Sequence, residues 1–301
     1  MSNVLVTGGT GFIGSAIVKH LAENGHRVVV LSRSNRSSTE PTIKYVTWPK
    51  NMIDAESLFE SPDIIINLAG DPINKGRWTE AKKRSIIESR VQSTRNIVEY
   101  IRQANHKPQL LINASAIGYY GFSDERQFTE QDIVAPHNFL TEVSEKWEGE
   151  ALQAEAFGVR LVMARFGIVL GKQGGALQPM VLPYKLFGGG KVASGKQWLS
   201  WIHIADVVSL VEHIITDSSM HGAVNFTAPN PLQMDDFGRT IGKVLRRPHW
   251  IPVPAFALRI FFGEMGDLLI KGQCVLPSVA LNHGYQFQYP HAEQALADLL
   301  S

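Results

Sequence analysis

The sequence predicts an α/β chain: a doubly wound parallel sheet followed by a smaller, mostly helical C-terminal lobe. Three observations predict it. Short β-branched runs alternate with longer helical patterns through the first half, and the first strand–helix junction is a glycine-rich turn. The alternation then stops near Gly171, where glycine and proline become frequent.

The apolar runs are residues 4–7, 27–31, 64–68, 110–114 and 161–166. They are nearly continuous in Val, Ile and Leu, as strands buried on both faces are. Helical patterns lie between them at 12–24, 79–104 and 138–157, and on the first Ile13, Ile17 and Leu21 recur at helical spacing. Right-handed crossovers place helices on both faces and leave a ligand crevice beyond the carboxyl ends of the strands. After Gly171, the glycines 174, 175, 188, 189, 190 and 195, with Pro179 and Pro183, read as loops and short elements. A helix at 204–216 and a strand at 223–227 return to the sheet. From Pro229 onward the chain is mostly helical, with breaks at Pro248, Pro252 and Pro254. The expected division is a nucleotide-binding domain at 1–228, of which 172–203 contributes to the substrate lobe, and a small domain at 229–301.

Composition narrows the function classes. The chain has 301 residues, 44% hydrophobic and 19% charged, an ordinary globular balance. A formal net charge of +1 gives no strong field toward nucleic acid or an anionic membrane, so neither partner is expected. The densest basic run, Lys82-Lys83-Arg84, reads as a solvated helix face. The single cysteine, Cys274, excludes an internal disulfide and reads as a core thiol. The histidines show no metal-type pair, and no metal is expected. Residue 3 already opens a strand, with no basic leader or cleavage site before it. The longest apolar stretch, 256–270, carries Arg259, Glu264 and Asp267. The expected location is the cytoplasm.

The segment Val4-Leu5-Val6-Thr7-Gly8-Gly9-Thr10-Gly11-Phe12-Ile13-Gly14 follows a strand and opens an amphipathic helix, the context a dinucleotide-binding turn of the Rossmann type requires. Gly8 permits the sharp turn, Gly11 lets the backbone approach a pyrophosphate, and Gly14 lets helix and strand pack closely. Thr10, Phe12 and Ile13 complete the phosphate-facing turn, where helix amides and dipole favour an anion. The second strand ends Ser32-Arg33. No Asp or Glu occurs between residues 28 and 39, so the acid that binds the ribose hydroxyls of NAD is missing, while Arg33 and Arg36 suit a 2′-phosphate. The cofactor expected is NADP; a strand-end arginine facing solvent is the alternative for Arg33.

These motifs resemble the extended short-chain dehydrogenase/reductases, which include nucleotide-sugar epimerases. An uncharacterised epimerase-like branch is similar in Asn67-Leu68-Ala69-Gly70-Asp71-Pro72-Ile73, in Arg77-Trp78 and in Ser115-Ala116-Ile117-Gly118-Tyr119-Tyr120-Gly121. It is similar too in Gly195-Lys196-Gln197-Trp198-Leu199-Ser200-Trp201-Ile202-His203. Members end in a small domain of unknown function, similar here from Pro252 through Phe287, and some are labelled cell-division inhibitors, which nothing in these residues supports. The resemblance implies that Leu68, Ala69 and Gly70 line the adenosine half of the cofactor and that Arg90 lies on the helix beside the cleft. It implies that Ser115 matches the catalytic serine, and it counts Gly167 with the cofactor set. Arg90 pairing along a wet helix face and Ser115 capping a turn are the plainer alternatives.

The departures are equally specific. The superfamily's Tyr-x-x-x-Lys proton relay is absent: none of the seven tyrosines has Lys four residues on. Aligned on Glu148, the two positions are Leu140 and Ser144, and shifted by one they are Phe139 and Val143; neither choice supplies a phenol or an amine. The Arg-x-x-Asn turn of epimerases reads Arg165-Phe166-Gly167-Ile168, with Ile for Asn. Replacement acid/base groups are expected in Ser115 and Tyr119, with His203 second, from a strand that should border the cleft. Arg77, Trp78, Trp198 and Trp201 are candidates for a pocket taking a flat or apolar substrate, or for plain core. The reading is an NADP(H)-dependent oxidoreductase or epimerase-like enzyme of unknown substrate with a non-standard catalytic set. The alternative is a non-catalytic NADP-binding regulatory or redox-sensing protein. A structural protein that never binds nucleotide conflicts with the intact glycine turn.

Overall fold

Seven strands hydrogen-bond side by side, all parallel, in a computed structural model that describes residues 1–48, 60–133 and 138–301. β1 (Asn3–Thr7) leads into α1 (Phe12–Glu23). β2 (Arg27–Ser32), β3 (Ile43–Thr47) and β4 (Ile64–Asn67) precede the long α2 (Glu80–Gln103), whose N-cap Thr79 accepts the Lys82 amide. Then come β5 (Leu110–Ala116), the short β6 (Gln127–Phe128), α3 (Phe139–Leu152) and β7 (Arg160–Phe166). The strand order is β12-β7-β5-β4-β1-β2-β3, with β12 (Gly222–Phe226) closing one edge. The order reverses between β1 and β4, and ligands of doubly wound sheets bind at that switch point.

Strand alternation explains the two cores. On β1, Val4 and Val6 face a cluster with Ile17 and Leu21 of α1, while Leu5 faces Ile97 and Ile101 of α2. Both faces are therefore covered, as the unbroken apolar runs require. The edge strand β3 was not expected. Its Ile-Lys-Tyr-Val-Thr run mixes polar with apolar residues and is only partly buried, and the strand pairs with β2 alone, at the edge of the sheet. The expected helix at 138–157 is α3 plus one tighter turn, Gln153–Phe157.

The glycine-rich middle folds into small pieces: β8 (Ile168–Gly171), β9 (Gly174–Gly175), α4 (Leu177–Lys185), β10 (Trp198–Leu199) and β11 (Trp201–His203). α5 (Ile204–Thr216) follows, and after β12 come β13 (Leu232–Gln233) and α6 (Met234–Leu245). The C-terminal segment comprises α7 (Ala255–Phe262), α8 (Asp267–Ile270), β14 (Cys274–Val275), α9 (Ser278–Asn282) and α10 (Ala292–Leu300). This segment is interlocked with what precedes it. β14 pairs with β6, and the buried Asp206 at the start of α5 accepts the amides of Gln288 at 2.7 Å and Tyr289 at 3.0 Å. Cys274 is buried, and burial pushes its thiol up, which keeps it protonated and inert. Among the described residues no helix is long and apolar enough to cross a membrane.

Candidate functional site

The glycine turn has the geometry its spacing implies. Gly8 has φ +67°, and a Cβ there would lie 2.6 Å from the Leu68 carbonyl oxygen. A Cβ at Gly14 would lie 2.3 Å from the Gly8 oxygen, so α1 approaches the end of β1 this closely only because Gly14 lacks a side chain. The amides of Phe12 and Ile13 open α1 with no partner inside the helix, and the N-cap Gly11 offers no side chain to cover them. Thr10 and Gly11 are exposed beside them. The Phe12 ring wedges against the β8–β9 turn: Cβ atoms at Gly171, Gly174 and Gly175 would meet it at 2.5, 2.8 and 2.9 Å. Those glycines, read as loop residues, are what makes room for Phe12.

Beneath this turn lies a buried, uncharged network. Thr7 Oγ1 donates to Asn67 Oδ1 at 2.6 Å and accepts the amides of Leu68 and Ala69, each at 3.2 Å. Asn67 Nδ2 donates to Asn113 Oδ1 at 2.6 Å and to Thr94 Oγ1 at 2.9 Å, and Trp147 Nε1 donates to the same Thr94 oxygen at 3.0 Å. Every partner is satisfied, so the carboxyl ends of β1, β4 and β5 are held to α2 and α3. Gly70 then packs on Arg90. The Arg90 guanidinium is turned inward and forms no ion pair among the described residues. Its Nη1 donates to the carbonyls of Asp71 and Ile86, both at 3.0 Å, and its carbon sits 4.9 Å from the Trp147 ring centroid. Burial pulls Arg90 down to about 10, with the Asp71 carboxylate opposing.

At the end of β2, Ser32 is buried and its Oγ accepts the Ser34 amide at 3.3 Å. Arg33 and Arg36 are exposed, and neither guanidinium has a partner among the described residues. The basic run on α2 differs from the expected solvated face. Lys82 pairs with Asp71 at 2.7 Å and Lys83 with Glu264 and Glu80, because the N-terminal turns of α2 meet both the 71–79 loop and the C-terminal segment.

A second network, this one charged, sits at the ends of β5, β7 and β12. Arg165 holds Glu148 with two bonds, Nε to Oε1 and Nη2 to Oε2, both at 2.8 Å. Ser115 donates to Glu148 Oε1 at 2.6 Å, Arg165 Nη1 donates to the Tyr120 hydroxyl at 2.9 Å, and Tyr120 donates to Asn225 at 2.8 Å. Burial works against the Arg165 charge, but the Glu148 carboxylate overrides it and holds the guanidinium protonated. Burial pushes Tyr120 up to about 12 despite Arg165. The face of Arg165 lies 3.4 Å from the centroid of the Tyr119 ring. Tyr119 is half-buried, and its hydroxyl has no hydrogen-bond partner among the described residues.

Of the expected catalytic trio, Ser115 and Tyr119 both join this Glu148–Arg165 cluster, and His203 does not. Ser115 is buried and committed to Glu148. His203 turns toward the C-terminal segment: Nδ1 caps α5 by accepting the Ala205 amide at 3.1 Å, and the ring lies on Tyr289 at 3.9 Å. Its Nε2 is 3.3 Å from Asp298 but off line, leaving a buried nitrogen without a formed hydrogen bond. Burial lowers its pKa. The reason is topological, since β11 pairs with β8 in a separate three-stranded sheet rather than bordering the seven-stranded one. Gly167 forms the tight β7–β8 junction, where a Cβ would sit 2.5 Å from the Ser200 carbonyl oxygen. Trp201 is fully buried core, its indole donating to the Asn230 carbonyl. Among the described residues no cluster of His, Cys, Asp or Glu is placed to hold a metal.

Sequence reasoning passed over Asn67, Asn113 and Thr94, and used Glu148 only as an alignment marker. A signal was present. Thr7, Asn67, Asn113 and Ser115 all interrupt apolar strands near their carboxyl ends, where a buried polar side chain must find a partner.

Comparison with known proteins agrees with this geometry. Residues 4–225 match the NAD dependent epimerase/dehydratase family, and residues 253–299 match a domain of unknown function, DUF1731. The epimerase family protein YfhF of Bacillus subtilis is 43% identical, covering 99% of this chain and 98% of its own length. The human epimerase family protein SDR39U1, solved with NADPH, superposes with a TM-score of 0.89 at 32% identity, covering 99% of this chain and 98% of that one. A nucleoside-diphosphate sugar epimerase from Corynebacterium glutamicum superposes with a TM-score of 0.79 at 27% identity, over 99% of this chain and 58% of that one. A Rossmann turn, its strand order and a match over most of the chain converge: the protein belongs to the NAD dependent epimerase/dehydratase family, within the extended short-chain dehydrogenase/reductases.

Proposed function

We propose that the chain is an NADP(H)-dependent oxidoreductase or epimerase-like enzyme whose proton donor is Tyr119. The observation that carries the reading is the uncovered first turn of α1, with β2 paired beside β1 and ending at Ser32 just before Arg33 and Arg36, two exposed arginines without a partner among the described residues. The first-turn amides suit a pyrophosphate. Arg33 suits a 2′-phosphate, and the NADPH in the human relative's structure supports that choice. Leu68, Ala69 and Gly70 would border the adenosine, on a loop stiffened by the Thr7–Asn67 network.

NADP(H) supplies or accepts a hydride when bound. The chain's own task is to hold and move a proton at the substrate oxygen. Neither alignment of the missing relay supplies a phenol or an amine, and on the first of them Ser144 Oγ is spent on the Leu140 carbonyl at 3.0 Å. Tyr119 offers a phenol without a hydrogen-bond partner among the described residues, its ring held under Arg165. Ser115 and Glu148 hold Arg165 in place, and His203 fixes the start of α5. The commitment of Ser115, Ser144 and His203 to internal contacts favours a second reading, a non-catalytic NADP-binding sensor.

Titration calorimetry tests the cofactor. NADPH should bind more tightly than NADH, and Arg33→Ala should weaken NADPH about 10- to 100-fold, the worth of a charge-assisted contact of about 1.5–3 kcal/mol. Equal affinity for the two cofactors in the unmodified protein would overturn the assignment.

A further inference from the structure

We propose that the substrate is a carbonyl compound with a flat or hydrocarbon body and few hydroxyls, held beside Tyr119 by Trp78, Phe139 and helix α7. The proposal rests on the enzymatic reading above and names its substrate class.

The first observation is continuity. Trp78 and Phe139 meet edge to face with centroids 4.9 Å apart. Lys83 lies 5.7 Å over the Phe139 ring and pairs with Glu264 just after α7, and Arg77 donates to the Ile260 carbonyl on α7 at 2.5 Å. On the other side, Leu140, next to Phe139, packs so closely on Gly118 that a Cβ there would come within 3.0 Å of its own. Gly118 and Tyr119 share one turn, Ile117–Tyr120. These contacts run in series from α7 through the Trp78–Phe139 pair to the Tyr119 turn, and we infer that the three line one wall.

Polarity is the second. Three polar side chains that pack behind this wall are bonded within the protein. Gln273 donates to the Ile117 carbonyl at 3.0 Å, Thr141 to the Gly118 carbonyl at 3.4 Å, and Ser115 to Glu148. Two of the wall's cations are neutralised as well, Lys82 by Asp71 and Lys83 by Glu264, while Arg259 and Lys271 share the one carboxylate of Asp267. A sugar diphosphate needs many free donors and an unmatched positive charge, and would have to break these bonds to find them. By contrast, Phe256, Ile260 and Phe261 of α7 are 67%, 64% and 73% exposed, with Leu258 the buried anchor of the helix. Exposed apolar surface joined to a site suits an apolar ligand. Neutral walls and bare aromatic faces together favour a small apolar carbonyl compound as the occupant.

The test is binding of 1-tetralone and 2-decanone, one flat and one linear ketone, against UDP-glucose, by saturation-transfer NMR and calorimetry with NADPH at saturation. NADPH affinity is titrated in the same samples, so failure of the cofactor reading registers separately. At least one ketone should bind. Phe139→Ser should weaken it about 10-fold, and Phe261→Ser, at an exposed position that folding tolerates, about fivefold, with NADPH affinity unchanged. Three results would overturn the proposal: UDP-glucose binding while both ketones are silent, ketone binding indifferent to both substitutions, or neither ketone binding. A dimer abolished by Phe261→Ser would assign the α7 face to a second copy of the chain and likewise overturn it.

Discussion

Strand β5 serves two buried polar clusters from one face, and the two are built on opposite principles. Asn113 belongs to the uncharged network of Thr7, Asn67, Thr94 and Trp147, and Ser115, two residues on, belongs to the charged one of Glu148, Arg165 and Tyr120. In the first, each bond joins neutral dipoles, so loss of one member leaves a modest deficit. In the second, a guanidinium and a carboxylate are both sealed from water, so either alone is an uncompensated charge. The neutral cluster supports the loop expected under the cofactor. The charged one sets the ring of Tyr119 under Arg165, a placement a neutral side chain would hold less firmly. Rigidity comes cheaply from dipoles, whereas holding an aromatic ring in place at the proposed catalytic position uses a buried ion pair.

Unequal costs of truncation follow, and urea unfolding measures them. Glu148→Ala strands Arg165 and should cost about 3–5 kcal/mol. Replacing both partners, Glu148→Leu with Arg165→Met, should recover much of that loss while releasing the Tyr119 ring. A single-variant cost under about 1 kcal/mol would erase the distinction between the clusters. Asn67→Ala should cost less, about 1–3 kcal/mol for the partners it leaves unbonded, and should loosen NADPH through the Leu68–Ala69 loop. If it proved as damaging as Glu148→Ala, charge would not be the decisive difference.

The smallest effect is on pH dependence. Burial pushes Tyr120 up to about 12, whereas an unfolded tyrosine ionises near about 10. Between those values the folded chain keeps a proton that the unfolded chain releases. The contribution is therefore whole below about pH 10 and is lost as pH rises toward 12. Tyr120→Phe should flatten the fall in stability over that window, and Asn67→Ala, which removes no titrating group, should keep the original slope. Equal slopes in the parent and Tyr120→Phe proteins would show that the phenol does not titrate as its burial requires.

The sequence by itself determined the parts that local chemistry dictates. A strand buried on both faces must be continuously apolar, and a helix packed on it must repeat every three or four residues. A turn with φ above zero and no room for a Cβ must be glycine. Hence β1, α1, the turn at Gly8–Gly14 and the helix at 204–216 were legible before any coordinates, as were the absent acid near Arg33 and the absent Tyr-x-x-x-Lys. The tertiary structure alone decided which polar side chains meet. Ser115 and Glu148 are 33 residues apart, and Tyr120 and Asn225 are 105 apart. His203 reads as a cleft residue until β11 pairs with β8 and turns it toward Tyr289. Hydrogen bonds and ion pairs reach only about 3 Å and depend on direction. Their partners follow from where the strands and helices finally lie, and no period or local motif along the chain encodes that placement.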